Sequence, residues 1–287
     1  MSQPRIAIAS CTGYEAHKAD EELLREALRE RGCEATPVPW DEPGADWGGF
    51  DLCLVKSTWD YNRRHEEFLA WTRRVEAVTA LRNPADLIAW SSEKTYLREL
   101  DERGVRTVPT VWVSRGAGTP LREILAAEGW ERAVVKPVVD LGAENLHRVR
   151  ADEEGEAALA EVLQRHDAMV QPFLPSLEAQ GETSLIYIAG ELTHAVRKRP
   201  AAGDFRVQAL WGGTTERTEP EASQIELAEQ ALAQLDSPPL YARVDVVKDL
   251  DGKPCLIELE LIEPNLYLGE HPPAAQALAD AALRVLA

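Results

Sequence analysis

Tyr-Ala-Arg-Val-Asp-Val-Val-Lys-Asp-Leu-Asp-Gly-Lys-Pro-Cys-Leu-Ile-Glu-Leu-Glu, residues 241 to 260, reads as a β-hairpin. Asp251-Gly252 stands between two alternating apolar runs, and a two-residue type I′ turn requires central residues that tolerate φ > 0. Such a turn makes Leu250 and Lys253 the closing pair. Counting outward sets Asp245 opposite Glu258 and Arg243 opposite Glu260 on one face, with Val244, Val246, Ile257 and Leu259 on the other. Three carboxylates and an arginine then share one patch. Directly opposed like charges destabilise a sheet unless something neutralises them. Mg²⁺ would do so, because it takes carboxylate oxygens together with substrate phosphates. A solvated polar face balanced by Arg243 is the plainer reading of the same residues.

Outside this hairpin the chain reads as a soluble globular protein of 287 residues, 45% hydrophobic, long enough for two or three subdomains. Its 49 acidic residues against 31 basic ones give a formal net charge of -18, and no Lys/Arg-rich run stands out. That balance argues against nucleic-acid and anionic-membrane partners, so an anionic ligand must be met by local cations. Cys11, Cys33, Cys53 and Cys255 lie far apart with no C-x-x-C, and Met1 to Arg5 leads straight into a short strand rather than an apolar leader. A cytoplasmic location is expected. No apolar run approaches the roughly 20 residues of a membrane span.

The N-terminal third alternates strand and helix. Arg5 to Ser10 is a buried-strand candidate, followed by a turn at Gly13, an amphipathic helix from about Asp20 to Arg31 that Gly32 can end, and a strand from Asp51 to Lys56. A small parallel α/β unit follows, with Ser57 to Tyr61 placed where such sheets bind ligands, beyond the carboxyl ends of their strands. Trp59 and Tyr61 could equally pack a domain interface. A helix is expected over 87–105, with Ser91 or Ser92 near its start, Lys94 in its first turn and Gly104 at its end. Strands at Thr110 to Val113, Ala133 to Pro137, His147 to Arg150 and Ala168 to Leu174, with a helix from Asp152 to Arg165, suggest a second, α+β lobe. From Ser184 onward the strands pair as hairpins, and a helix follows Pro273.

The sequence holds no G-x-S-x-G, P-loop or HExxH. Lysine on structured elements does recur, as Lys94 and as Lys136 inside the apolar strand Val-Val-Lys-Pro. Such a lysine must reach a partner or lose its hydration. Taken in order, Glu93-Lys94, Gly104-Val-Arg-Thr-Val-Pro109, Val-Val-Lys136-Pro, Val170-Gln-Pro-Phe-Leu174, Gly181-Glu182, and Asp245 with Glu258-Leu-Glu260 resemble the ATP-grasp superfamily over roughly residues 80 to 268. Arg197 to Arg206, followed by Trp211-Gly-Gly213, is similar to the substrate segment of its glutathione-synthetase-like members. Ser57 to Tyr61, Lys198 to Gln208 and Glu258 to Pro264 are most similar to the group that contains the cyclo-ligase of D-cycloserine biosynthesis, which closes O-ureido-D-serine into a ring.

The resemblance implies an α/β and α+β ATP-grasp fold of three lobes: an N-terminal parallel α/β lobe (1–90), a small central lobe (91–170) and a C-terminal antiparallel lobe (171–287). It implies an ATP- and magnesium-dependent carboxylate-amine ligase, an enzyme of antibiotic biosynthesis that acts through an acyl phosphate. Ring closure of a single amino-acid-like substrate is one form of that reaction. A two-substrate amino-acid or peptide ligase is the other, and a non-catalytic ATP-binding protein is a further alternative. By the same resemblance Lys94 and Lys136 bind the ATP phosphates, Gln171, Phe173 and Leu174 meet adenine, Glu182 holds the ribose, and Asp245, Glu258 and Glu260 bind two magnesium ions. Arg206 and Lys198 face the reacting acyl group, and a homodimer is an open assembly. Glu260 replaces the asparagine of many members, and Asp140 enters a loop that is usually small or glycine-rich there.

Overall fold

The computed structural model of the protein describes residues 3–12 and 18–287; the turn expected at Gly13 lies outside them. Strands β1 (Arg5–Ser10), β2 (Glu34–Pro39), β3 (Leu52–Ser57) and β4 (Ala80–Arg82) form a parallel sheet in the order β2-β1-β3-β4. Helix α1 (Lys18–Glu30) covers one face, burying Leu24, Ala27 and Leu28, while α2 (His65–Glu76) and α3 (Ala85–Ser91) cover the other. β2 is absent from the sequence reading, since Pro37 and Pro39 cannot donate to a ladder and are tolerated only at an edge, where this strand lies.

A helix over 87–105 is not what forms. The segment breaks into α3 and α4 (Tyr96–Glu102), and Lys94 falls in the break, its backbone N–H donating to the Val138 carbonyl at 2.8 Å. The helical pattern is continuous, and the tertiary partner Val138 decides against it. Gly104, at φ +87°, closes α4 as expected. The chain then lays Arg106 to Val108 along the edge of the C-terminal sheet through hydrogen bonds with Leu256.

The central lobe is an antiparallel sheet of β5 (Val111–Val113), β6 (Ala133–Pro137), β7 (His147–Val149) and β8 (Ala168–Pro172), ordered β5-β8-β6-β7. Helices α5 (Leu121–Glu128) and α6 (Glu153–Leu163) pack on it, and Asp152 caps α6 by accepting from Gly155 N–H at 2.9 Å. A core of its own joins Leu121, Leu125, Val135, Leu159 and Val170.

After α7 (Pro175–Gln180), the C-terminal sheet comprises β9 (Glu182–Ile188), β10 (Glu191–Arg199), β11 (Thr214–Thr218), β12 (Tyr241–Lys248) and β13 (Pro254–Glu260), antiparallel in the order β11-β10-β9-β12-β13. Helix α8 (Ala222–Leu232) packs on one face. On the other, α9 (Pro273–Val285) joins α1 and β1 in a core that takes in Ile186, Ile188, Val196 and Tyr241. The N-terminal and C-terminal lobes therefore share one apolar cluster. Asn83 fastens the same seam: its amide donates to the carbonyls of Tyr241 and Leu261 and accepts from Leu240 N–H.

The Asp-Gly hairpin forms between β12 and β13, with a different turn. Asp249 N–H bonds the Lys253 carbonyl, so the closing pair is Asp249 and Lys253, with Gly252 alone at φ +76°. The Asp249 carboxylate accepts from the N–H groups of Asp251 and Lys253 and so stabilises this three-residue loop. Val246 consequently faces Leu256, and a bulge then leaves Ile257 without a partner and restores Asp245↔Glu258 and Arg243↔Glu260. Ile257, expected beside Val244 and Val246, packs instead with Val247 and Cys255.

Candidate active site

Period-two alternation carries one face of the C-terminal sheet from apolar to charged. Along β9 this face runs Ile188, Ile186, Ser184, Glu182, along β10 Val196 then Lys198, and along β12 Tyr241, Arg243, Asp245. The apolar half lies under the N-terminal lobe. The charged half gathers Asp245, Glu258 and Glu260, whose carboxylate oxygens lie within 4.8 Å of one another.

Each acid has a cation against it. Arg243 donates to both Asp245 oxygens at 3.0 to 3.1 Å through Nε, to Oδ2 at 2.8 Å through its terminal nitrogen, and also to Glu260. Lys198 Nζ sits 3.1 Å from Asp245 and pairs with Glu182, while Ser184 donates to Asp245 at 2.5 Å. Lys94 Nζ lies 2.7 Å from Glu258 and also donates to the Asp140 carbonyl at 3.1 Å. Burial alone would raise Asp245, but Arg243 and Lys198 hold it well below the usual carboxylate range. Burial likewise works against Glu258, and Lys94 and Lys136 bring it below its ordinary value. Glu260 stays raised by burial despite Arg243, and Glu182 is pushed up to about 7 by burial against the pull of Lys198.

Lys136 differs from the other lysines. It is only 7% exposed, and among the described residues no acceptor lies within bonding reach of its ammonium. Burial lowers it to about 8, with the charge of Lys94 adding to that effect and Glu258 opposing it. A lysine held this way is suited to a ligand's anionic group.

Arg206 stands apart from the carboxylates. Its guanidinium bonds Asp204 at 2.7 Å and lies 3.5 Å over the Trp211 ring. The Trp211 indole donates to the Gly142 carbonyl at 2.8 Å, tying this segment to the loop after β6. In that loop the Asp140 carboxylate accepts from Asn145 at 2.9 Å. Gln171 donates to Thr110 Oγ1, whereas Phe173 stacks edge-on with Phe205 beneath Arg132. Tyr61, Ser92, Lys94, Leu141, Glu258 and Glu263 border one cleft that reaches from the N-terminal lobe to the acids. Within the Ser57 to Tyr61 loop the two readings divide: the Trp59 indole bonds the Glu263 carbonyl across the lobe interface, and Tyr61 faces the cleft.

Sequence reasoning passed over Ser184 and Glu263, and it treated Arg243 only as a counter-charge. The alternation Thr183-Ser184-Leu185-Ile186 on a strand carried the signal for Ser184, but only the pairing Asp245↔Ser184 gives it meaning.

The donor set fits a hard divalent ion: three carboxylates at short separation, with no sulfur or imidazole among them. Comparison with known proteins adds the following. Residues 6–83 match the family model described as D-cycloserine synthetase DcsG, N-terminal domain, and residues 98–264 match that described as prokaryotic glutathione synthetase, ATP-grasp domain. The chain is 33% identical over 266 residues to the cycloserine biosynthesis protein DcsG of Streptomyces lavendulae, covering 85% of this chain and 86% of that protein. It is 32% identical over 193 residues to a glutathione synthetase of Prochlorococcus marinus strain MIT 9313, covering 66% and 58%. The crystal structure of D-cycloserine synthetase DcsG superposes with a TM-score of 0.89 at 29% identity, covering 99% of this chain and all of that one. D-alanine--D-alanine ligase from Bacillus anthracis complexed with ATP gives 0.72 at 16% identity over 100% and 99% of the two chains, a likeness of fold alone.

Proposed function

We infer the reaction from the family: this chain belongs to the ATP-grasp enzymes, with the prokaryotic glutathione synthetase type of ATP-grasp domain, and is an ATP-dependent carbon-nitrogen ligase. The proposed activity is the closure of a small amino-acid-like substrate on itself, as in making D-cycloserine from O-ureido-D-serine, supported by its similarity to the cycloserine biosynthesis protein. The observation that carries the ligase chemistry is the convergence of Asp245, Glu258 and Glu260 on one sheet face beside Lys94, Lys136 and Lys198.

In the proposed reaction a substrate carboxylate oxygen attacks the γ-phosphorus of ATP and ADP departs. The aminooxy nitrogen of the ureido unit then attacks the acyl carbon, losing a proton as phosphate leaves, and water releases the carbamoyl group from that nitrogen as carbamate, which breaks down to carbon dioxide and ammonia. Lys94 and Lys136 would hold the phosphates, which requires Lys94 to leave Glu258 for its new partner. The Gln171 to Leu174 backbone would meet adenine and Glu182 the ribose, in exchange for part of its bond to Lys198. Asp245, Glu258 and Glu260 would hold two magnesium ions, which when bound supply charge neutralisation of the triphosphate. Arg206 and Lys198 are the residues assigned to the acyl oxyanion, and Arg243, already fixed between two of the acids, is placed to add to that charge.

The test is ADP release from ATP, magnesium and O-ureido-D-serine with no added amine. Stoichiometric ADP, phosphate and a cyclic product are expected, because one substrate carries both reacting ends. Release only after a second amine is supplied would assign the chain to the two-substrate ligases instead.

A further inference from the structure

β13 leaves the sheet at Glu260, and side chains meet the next four carbonyls. Asn83 donates to Leu261 at 2.7 Å, Trp59 to Glu263 at 3.2 Å and Lys56 to Pro264 at 2.7 Å, while the Tyr241 hydroxyl lies 3.1 Å from the Ile262 carbonyl and shares its one hydrogen with nearer carbonyls of Val55 and Arg82. The backbone of Glu263 is therefore immobilised from both sides of the seam between the N-terminal and C-terminal lobes.

The side chain of Glu263 is held by nothing comparable. It is 4% exposed, its carboxyl group takes a hydrogen bond from its own backbone N–H, and among the described residues no side chain bonds or ion-pairs with it. Lys56 is the near cation and its charge acts on Glu263, but its ammonium bonds the Pro264 carbonyl rather than the carboxyl group and lies over the Tyr241 ring at 4.9 Å. Glu263 borders the same cleft as Glu258, Glu260, Tyr61 and Ser92. A buried carboxyl group met only by its own main-chain N–H is costly, and such groups ordinarily find a further partner. Nothing in the packing requires an acid there, since Ile262 and Leu261 beside it fill the adjoining cores.

A partner that binds in the cleft would have to donate hydrogen bonds and would gain most by carrying positive charge. It must also fit within reach of the carboxylate triad. An α-amino acid meets both conditions, because its ammonium group stands two bonds from the carboxyl carbon that the triad would help to activate.

We propose that Glu263 is the specificity residue that receives the α-ammonium group of the substrate, so that the enzyme selects α-amino acids over otherwise identical acids. This rests on the ligase reading above. Burial and the charge of Glu260 push the Glu263 acid well above the usual carboxylate range, and a bound ammonium group would offset that effect.

The experiment compares O-ureido-D-serine with its analogue lacking the α-amino group, in the wild type and in Glu263→Gln and Glu263→Asp. The wild type is expected to prefer the amino compound in kcat/KM by roughly 100-fold, the scale of a buried charge-assisted contact. Glu263→Gln should reduce that preference at least about tenfold, through KM for the amino compound, with KM for ATP unchanged. Glu263→Asp should keep more of the preference than Glu263→Gln, because it keeps the charge. Turnover by the wild type with a preference that survives Glu263→Gln overturns this assignment and leaves the ligase reading intact. A preference lost equally in both variants, or an ATP KM that moves in step, also overturns it, by showing a role in packing alone. No ADP from the wild type with either compound refutes the cyclo-ligase reading, and the assignment falls with it.

Discussion

Lys136 bears on ligand binding and stability with opposite signs. In the free protein burial brings its pKa to about 8 from the usual 10.5. Below pH 8 the lysine is charged in both folded and unfolded chains, and burial of that charge costs stability in full. Between about 8 and 10.5 the folded protein sheds the proton first, so this cost is recovered as pH rises. With Lys136 assigned to the phosphates as proposed, nucleotide binding would need the charge and should weaken over the same window. Lys136→Met is therefore expected to raise the melting temperature near pH 7 while weakening ATP binding by about 10- to 100-fold. The loss of affinity of the wild type above pH 8 should be absent in this variant. Unchanged affinity in calorimetry would remove Lys136 from the phosphate site. The sequence already singled this residue out, because a lysine inside Val-Val-Lys-Pro has few structural uses. It gave no comparable reason to prefer Arg243, whose position between Asp245 and Glu260 depends on a register, over Arg206, which the fold pairs with Asp204.

At the scale of elements, the hairpin explains both how much was legible and why some was not. A two-residue turn at Asp251-Gly252 leads to the facing pairs Asp245↔Glu258 and Arg243↔Glu260, and those pairs form. They form by a different route. The three-residue loop displaces the register by one, and the bulge at Ile257 displaces it back. Alternation can place carboxylates on a face, but it does not reveal compensating irregularities. The break between α3 and α4 was illegible for another reason, since the carbonyl that captures Lys94 N–H comes from Val138, 44 positions along the chain. Asn83 offers the corresponding test of the seam. Its side chain serves three main-chain groups of β12 and the turn after β13, and Asn83→Ala would leave all of them buried and unpaired. A loss of about 3 kcal/mol in urea unfolding is expected. A loss within about 0.5 kcal/mol, the range of ordinary surface changes, would mean that the seam is held by packing alone.

Across the whole molecule, the order of strand and helix signals along the chain was enough to anticipate three lobes, but not how they join. The N-terminal and C-terminal lobes share an apolar cluster running from Ile6 to Ala282, whereas the central lobe has a core of its own. Those contacts link residues nearly 280 positions apart, beyond the reach of any local pattern. The central lobe also meets the C-terminal sheet through a shared cluster in which Val138, Val139 and Met169 join Leu185, Tyr187 and Val244. In the proposed reaction the charged end of the C-terminal sheet would present Asp245, Glu258 and Glu260 to the phosphates, and the cleft toward Tyr61 and Glu263 would receive the carboxylate to be activated. Transfer of the γ-phosphoryl group to that carboxylate leaves a chemical record. With O-ureido-D-serine labelled by ¹⁸O in both carboxyl oxygens, mass spectrometry of the phosphate released in a single turnover should find one ¹⁸O per phosphate, carried over when the acyl phosphate breaks. Turnover that releases unlabelled phosphate would contradict activation of the carboxylate by ATP at this site.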